Sequence, residues 1–367
     1  MKIALLGTRG IPAAYGGFET FVEELGKRLH LRGHKASVYC RKGFFEPTPK
    51  NTEYLGVKLV YLPTIKHKYF DTVFHSLLSF LHILFCSYDI VLLCNAANSP
   101  FAWLANLKRV PIVINVDGVE RKRAKWNFLG KLWYLLGEKC SVLFADKIVG
   151  DAKVIVDYYQ ENYQVQAEMI AYGAEVEILP PGETLKSFNL KADSYILYVS
   201  RLEPENNALG VIKAYNKVDT NIPLVIVGDA PYADEYKQQL HKIADKNVIF
   251  TGFQFGQAYK ELRSNCLFYI QATEVGGTHP ALVEAMAYGN PIIANQVPEH
   301  EEVLEDSGIY YYKNDFEHLA LKIQELLVDF DKRKELSAKA ANLANQKFSW
   351  DFITDRYENL FFNLCKK

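Results

Sequence analysis

A glycine-rich stretch, Gly7-Thr-Arg-Gly-Ile-Pro-Ala-Ala-Tyr-Gly16-Gly17, separates the apolar run Ile3 to Gly7 from the amphipathic run Glu19 to Arg32. Gly16 and Gly17 lie just ahead of the second run. Main-chain amides at a helix start, with no Cβ in the way, suit an anion such as a phosphate. In the second half of the chain, Arg201 follows the apolar run Tyr195 to Ser200. An arginine there either clamps a diphosphate through two parallel hydrogen bonds or pairs with Glu203 or Glu205. Gly228-Asp229 and Thr251-Gly252-Phe253 follow two further apolar runs, and the latter suits a flat base held through main-chain groups. Gly276-Gly277-Thr278-His279 precedes a helix and forms a second site for an anion or a sugar hydroxyl. Glu284, in the first turns of that helix, is placed to reach ribose hydroxyls or simply to complement the helix N-terminus. The competing chemistry is a dinucleotide turn. Gly7 and Gly10 give GxxG rather than GxGxxG, and the second strand ends at Cys40-Arg41 rather than at an acid. Arg41 suits a 2′-phosphate, so an NADP-dependent dehydrogenase is one alternative.

The elements that must position these residues alternate in type. In the first half, strand-like runs at Ala36 to Cys40, Val57 to Leu62, Ile90 to Cys94, Pro111 to Val116 and Lys147 to Val149 are separated by amphipathic stretches. The helix over Glu19 to Arg32 places Phe21, Val22, Leu25 and Leu29 on one face, and Gly33 stops it. The second half repeats the pattern. Its strands are Tyr195 to Ser200, Leu224 to Val227, Val248 to Phe250, Leu267 to Ile270 and Pro291 to Ala294. Its helices are Asn207 to Val218, Asp234 to Ala244, Ala281 to Tyr288 and Asp315 to Phe330, with a last one over Phe348 to Leu364. Strands alternating with helices predict parallel sheets covered on both faces. The expected architecture is α/β with two Rossmann-like, doubly wound domains facing a central cleft. The expected boundaries are 1–175, a linker at 176–193, 194–347, and a C-terminal helical segment 348–367 that packs back on the first domain. Ligands should bind at the carboxyl ends of the strands.

Length and composition agree. The chain has 367 residues, 49% hydrophobic and 23% charged, enough for two cores. Its net charge of −1 argues against nucleic acid as a partner. The charge is unevenly spread. Residues 1–175 carry 22 lysines and arginines against 16 acids, and residues 176–367 carry 20 against 27. The six cysteines form no CxxC pair and most sit in apolar runs, which predicts neither a disulfide framework nor a zinc site and fits a cytoplasmic protein. Met1-Lys2 leads straight into a strand, so no secretory leader is expected. Val73 to Cys94 is apolar but holds His75, His82, Ser87 and Asp89. It reads as a buried helix followed by a buried strand rather than a membrane span.

The second half resembles the donor domain of retaining GT-B glycosyltransferases of the family 4 type. The resemblance rests on Glu284-Ala-Met-Ala-Tyr-Gly-Asn-Pro291, Phe348-Ser-Trp350 and Ile170-Ala-Tyr-Gly-Ala174. Gly7 to Thr20, Asn115-Val-Asp-Gly-Val-Glu-Arg-Lys-Arg-Ala-Lys-Trp126 and Pro204-Glu-Asn-Asn207 resemble a subgroup associated with rhamnosyl transfer in capsule and O-antigen synthesis. The chain departs from the family pattern in three places. Glu274 and Glu284 stand ten apart rather than eight. Asn206 stands where the family often has a lysine. Asp117 is the nearest residue to an expected histidine.

The resemblance implies transfer of a sugar from a nucleotide diphosphate to a glycan hydroxyl, with the anomeric configuration kept. The best-matching donor is dTDP-rhamnose and the acceptor is lipid-linked. The nucleotide-sugar is a substrate and no cofactor is implied. The resemblance calls for no metal. Arg201, Asp117 and Glu274 are the catalytic candidates. Gly16, Gly17, Arg201, Asn206, Gly228, Asp229, Gly252, Phe253, Gly277, Thr278, His279 and Glu284 are the donor candidates. Arg9, Tyr15 and Glu19, with Arg121 and Lys125 of the basic run Glu120 to Trp126, are the acceptor candidates. That basic, aromatic run, and Lys66-His-Lys68, suit a lipid-linked diphosphate or the anionic headgroups of the cytoplasmic membrane face. The rival readings are a nucleotide-sugar 2-epimerase of the same fold and a non-catalytic nucleotide-sugar binder within an assembly complex.

Overall fold

The structure is a computed structural model. It describes residues 1–13, 16–45, 52–65, 67, 70–116, 118, 121, 127–230, 233–274 and 278–366. Tyr15, Asp117, Lys125 and Gly277, all site candidates, lie outside these residues, as does most of the basic run. The chain divides into two compact units. One is Met1–Tyr172 with Trp350–Lys367, and the other is Gly173–Ser349.

In the first unit the strands are β1 (Lys2–Leu6), β2 (Lys35–Arg41), β3 (Glu53–Tyr54), β4 (Val57–Leu62), β5 (Ile90–Cys94), β6 (Ile112–Val116), β7 (Lys147–Gly150) and β8 (Glu168–Met169). The helices are α1 (Gly17–Leu31), α2 (Phe70–Ile83), α3 (Trp103–Asn106), α4 (Phe128–Phe144) and α5 (Lys153–Tyr163). The sheet order is β3-β4-β2-β1-β5-β6-β7-β8, parallel except for β3 against β4. Residues alternate between its faces, as a strand period of two requires. Ile3 and Leu5 pack with Phe21, Val22, Leu25 and Leu29 of α1. Ala4 and Leu6 pack with Phe80 and Ile83 of α2 and Ile155 of α5. The apolar run at Val73 to Cys94 holds a helix that is half-buried rather than buried, with Leu81 on it and Phe85 just past it exposed, and a buried strand; no helix among the described residues is long and apolar enough to cross a membrane.

The second unit contains β9 (Ile196–Val199), β10 (Leu224–Val227), β11 (Val248–Gly252), β12 (Phe268–Gln271), β13 (Ile292–Asn295) and β14 (Ile309–Tyr311). Its helices are α6 (Glu183–Ser187), α7 (Ala208–Tyr215), α8 (Asp234–Ile243), α9 (Gly256–Ser264), α10 (Pro280–Ala287), α11 (Pro298–Leu304), α12 (Phe316–Val328) and α13 (Phe330–Lys347). The sheet order is β11-β10-β9-β12-β13-β14, and the pairs are parallel. Both sheets are doubly wound, as expected. Residues 176–193, expected as a linker, carry α6 and count with the second unit. Buried Glu261 of α9 accepts from the amides of Gly182 at 2.7 Å and Leu185 at 2.8 Å, which ties α6 down.

The last helix, α14 (Trp350–Cys365), belongs to the first unit. Trp350, Ile353, Tyr357 and Phe361 join the core beside Phe21. Phe21 lies 5.2 Å from the Tyr357 ring and 6.2 Å from the Trp350 ring. Arg28 reaches Asp351 at 3.2 Å, and Arg32 reaches Asp355 and Glu358 at 2.5 and 2.9 Å. Asn115 of β6 donates to the Tyr357 hydroxyl at 2.7 Å, with both groups buried. Tyr357→Phe removes that acceptor from a buried amide. It should cost about 1–3 kcal/mol of stability in urea unfolding. A loss within error would show that the bond anchors nothing.

Candidate active site

Both sheets reverse their strand order once. The first does so between β1 and β5, and the second between β9 and β12. At such a point the loops leaving two neighbouring strands run to opposite sides, and the crevice at their carboxyl ends takes the ligand in open α/β sheets.

In the second unit this crevice gathers Arg201 and Glu274. Arg201 follows β9 and is 41% exposed at its side chain, with Glu203 at 3.7 Å. The ion pair considered from the sequence is therefore present, but loose. The loop itself is firm. Asn206, buried, donates through Nδ2 to the Arg201 carbonyl at 2.7 Å, and its own carbonyl accepts from the Tyr198 hydroxyl at 2.5 Å. Asn206 therefore shapes the arginine loop from within. Glu274 follows β12, and its amide donates to the Glu205 carbonyl at 3.1 Å, joining the two loops. Asn207, left-handed at φ 63°, donates to Glu274 Oε1 at 2.9 Å, to the Ala272 carbonyl at 3.0 Å and to Asn314 Oδ1 at 3.1 Å.

Gly228 follows β10 at φ 130°, where a Cβ would lie 1.9 Å from the Ser200 carbonyl oxygen. Glycine lets the β10 loop press against the Arg201 loop. Asp229 accepts from the Ala230 amide at 2.7 Å and pairs with Lys237 at 3.1 Å. Burial works against its charge, but these two groups hold its carboxyl below the ordinary range. Gly252 ends β11 at φ 69° with open space around it, and exposed Phe253 stacks on Phe255 at 5.8 Å.

Glu284 lies in the second turn of α10 and faces partners that the sequence reading did not identify. The Tyr259 hydroxyl donates to its Oε2 at 2.5 Å, and fully buried Arg263 lies 3.9 Å away. Arg263 also donates to the Tyr259 hydroxyl at 2.9 and 2.8 Å and sits 4.5 Å over the Tyr269 ring. Burial raises the Glu284 carboxyl, while Arg263 and Tyr259 pull it down. Tyr259 and Arg263 are one turn apart on α9, a spacing with no chemical signature in the sequence. Thr278 is buried, and His279 caps α10 with its ring 5.0 Å from that of His300.

His300 is fully buried, with Nδ1 2.8 Å from the Asn295 carbonyl. Burial pushes its imidazole down to about 4, against the Asn295 contact, which favours the charged form. An unfolded histidine protonates near 6.5. Between pH 6.5 and 4 the unfolded chain therefore binds the extra proton, and stability falls as pH falls. From pH 7 to pH 5 this group should cost about 2 kcal/mol. His75 of the first unit, also pushed by burial to about 4, adds a similar loss. Denaturant melts at the two pH values check this. His300→Gln should narrow the difference, and an unchanged difference would rule out the assignment.

In the first unit, Gly7 stands at φ 95°, where a Cβ would meet the Cys94 carbonyl oxygen at 2.1 Å across the β1–β5 reversal. Gly16 caps α1 with extended backbone and no side-chain bond, and Gly17 is the first helical residue. The acids of α1 reach back to the loop. Glu19, buried, accepts from the Arg9 amide at 3.0 Å, and Glu23 accepts from the Ala13 amide at 2.6 Å. Glu19 thus holds the loop's shape. Arg9 lies 4.6 Å over the Phe44 ring. Arg121 is turned toward Glu138, at 3.1 Å, and the Tyr158 hydroxyl, at 2.7 Å. Buried Glu138 also accepts from the hydroxyls of Tyr158 and Tyr163 at 2.8 and 2.9 Å. Arg41, the residue suited to a 2′-phosphate, is buried and bound to Asp71 at 2.7 Å and to the Thr8 carbonyl at 3.2 Å. That engagement takes away the one feature that favoured NADP. All six cysteines are free. Among the described residues no group of three or more His, Cys, Asp or Glu side chains is placed to hold a metal ion.

Residues 15–181 match Glycosyltransferase Family 4, and residues 183–343 match Glycosyl transferases group 1. An uncharacterized glycosyltransferase of Methanocaldococcus jannaschii is 24% identical over 388 residues, 98% of each chain. The O-antigen chain mannosyltransferase B of Escherichia coli is 25% identical over 191 residues, 50% of this chain and 49% of its own. Among solved structures, sucrose-phosphate synthase of Thermosynechococcus elongatus is similar in fold, with a TM-score of 0.84 at 20% identity over 99% of this chain and 98% of that one. The two doubly wound sheets and the two family matches, one to each unit, make the chain a glycosyltransferase of GT-B fold, belonging to the family 4 and group 1 type.

Proposed function

We propose that the chain moves a sugar from a nucleotide diphosphate to a hydroxyl of a lipid-linked glycan and keeps the anomeric configuration. The donor in this reading is dTDP-rhamnose. The observation that carries it is the β9–β12 reversal in the second unit, where the Arg201 loop and the Glu274 loop are hydrogen-bonded to each other. Arg201 holds the diphosphate there, and the Gly228 and Gly252 turns leave room for the nucleotide. Glu284, oriented by Tyr259, faces the ribose, and Thr278 and His279 at the start of α10 face the sugar. As the sugar–phosphate bond breaks, its electron pair leaves with the diphosphate. The acceptor oxygen attacks from the same face, and its proton passes to a leaving phosphate oxygen. Catalysis is then positioning and charge stabilisation, with no metal in the scheme. In this reading the Gly16-Gly17 amides suit the donor's diphosphate, Asp117 and Glu274 are catalytic, and the loop around Arg9 and Glu19 belongs to the acceptor side.

Support for rhamnose is the likeness of Gly7 to Thr20 and Asn115 to Trp126 to the rhamnosyl subgroup. The Escherichia coli relative is, by its name, a mannosyltransferase, so the donor is the point to test. A thermal-shift panel of nucleotide diphosphates and nucleotide-sugars separates the readings, because ligand held only by the folded state raises the melting point. A selective shift with dTDP and dTDP-rhamnose is expected. A selective shift with UDP or GDP compounds would overturn rhamnose alone. A shift with NADP and none of these would overturn the nucleotide-sugar reading.

A further inference from the structure

Glu284 of α10 is held through one of its two carboxylate oxygens. Oε2 accepts from the Tyr259 hydroxyl at 2.5 Å, and among the described residues nothing donates to Oε1. The side chain is 22% exposed, so the carboxylate is not sealed off. The direction of the Tyr259 bond is fixed from behind. A phenol has one proton to donate and two lone pairs that accept. Arg263 donates to that oxygen through Nε at 2.9 Å and through Nη2 at 2.8 Å. With both lone pairs occupied, the hydroxyl proton points to Glu284.

Arg263 is fully buried, so it acts on a ligand only through its neighbours. Its Nη2 also donates to the Ala281 carbonyl of α10 at 2.9 Å, and its own carbonyl accepts from Asn290 at 3.0 Å. The guanidinium lies 4.5 Å over the Tyr269 ring and 3.9 Å from Glu284 Oε2. It favours the ionised carboxylate, the form that accepts, against the burial that opposes it. The Ala281 contact alone would tie α9 to α10. The Tyr259 hydroxyl adds something else: it fixes which oxygen of Glu284 is taken and which is left open.

We propose that Tyr259 and Arg263 are positioning residues that make Glu284 a reader of a single sugar hydroxyl. Oε2 stays with Tyr259, Oε1 accepts from the 3′-hydroxyl of the nucleoside, and the 2′ position goes unread. This inference rests on the reading of Glu284 as the residue that faces the nucleoside's sugar. It deepens that reading by naming the ligand class, a 2′-deoxynucleoside diphosphate. Such a ligand presents one hydroxyl on that ring, and one open oxygen meets it. Recognition of a ribonucleoside through its 2′,3′ pair would call for both oxygens to be open.

The full chain should be titrated with ribothymidine diphosphate and with its 2′-deoxy, 3′-deoxy and 2′,3′-dideoxy forms, and with the same series on uracil. Loss of the 3′-hydroxyl should weaken binding about tenfold or more, the scale of one hydrogen bond to a charged acceptor. Loss of the 2′-hydroxyl should change it by less than about twofold, because no partner is lost. Tyr259→Phe opens Oε2, so the 2′-hydroxyl should then strengthen binding by about threefold or more. Arg263→Met should shrink the 3′ effect while leaving the Kd of the dideoxy form unchanged, and Arg263→Lys should restore part of it. A merely structural arginine would weaken all four ligands alike. Melting curves check the folds. Tyr259→Phe, which loses one oxygen and keeps the ring, decides the matter if Arg263→Met does not fold. Equal losses for the two hydroxyls, or a Tyr259→Phe variant with the wild-type pattern, would overturn this inference alone. Binding that ignores both hydroxyls would remove Glu284 from the nucleoside's sugar. No binding in either series would overturn the nucleotide-sugar reading and this inference with it.

Discussion

Arg201→Ala should lower turnover by about 10²-fold or more while leaving the fold intact. The two halves of that expectation have separate causes. Removing one preorganised charge contact from a developing anion typically costs 10²–10³ in rate. The guanidinium has little structural duty. It is two-fifths exposed and its acid partner lies 3.7 Å away, and a pair of that kind contributes about 1 kcal/mol at most. The loop is held through the Arg201 carbonyl, which alanine keeps. Arg201→Lys is the sharper control, because a point charge restores the attraction but not the two-pronged geometry. It should recover only part of the loss. Steady-state kinetics with saturating acceptor, beside a melting curve, would decide. Near-normal turnover in Arg201→Ala would remove the arginine from the diphosphate.

Gly228→Ala should act in the opposite way, through the fold first. The residue sits at φ 130°, which alanine avoids, and its Cβ would land 1.9 Å from a backbone oxygen that cannot step aside. Either the β10 turn opens or the Ser200–Arg201 segment moves. The expected cost is about 3 kcal/mol or more, at the severe end of single substitutions. Denaturant unfolding of the variant should show that loss. Any folded fraction should also bind nucleotide more weakly, because the displaced segment carries Arg201. Full stability would mean that the two loops are not packed as described. Gly252→Ala is the matched control. That position has positive φ but open space around it, so only the conformational penalty of about 1 kcal/mol applies.

The order of strands and helices was largely legible because both sheets are buried on both faces. Runs such as Ile90 to Cys94 and Leu224 to Val227 have no polar interruption, and that signal survives without tertiary information. Helix α13 shows what was not legible. The amphipathic reading stopped at Phe330, yet the chain continues as helix from Phe330 to Lys347. Its buried residues are Leu336, Ala340 and Ala344, one per turn and mostly small, so the apolar period is too faint to read. The two-residue strands β3 and β8 are invisible for a related reason. They exist through pairing with β4 and β7 rather than through their own composition. At the site, glycines were readable where a turn demanded them, and Arg201 was readable because it follows a strand. The partners of the charged side chains were not. Arg121 and Arg41 looked like ligand contacts in the sequence. The structure turns each toward a carboxylate supplied by a distant segment, Glu138 in one case and Asp71 in the other.

The placement of α14 in the first unit has a consequence for synthesis on the ribosome. The β1–β8 sheet emerges early, but the aromatic partners of Phe21 on α1 arrive only with Trp350 and Tyr357. All of Gly173–Ser349 must be translated in between. At ~5–20 residues per second that interval is on the order of ten to thirty seconds. The second unit, contiguous in sequence, can close its core in that time. The domain made first is therefore the domain finished last. Until the final helix appears, a nascent chain leaves the Phe21 side of α1 without its aromatic partners.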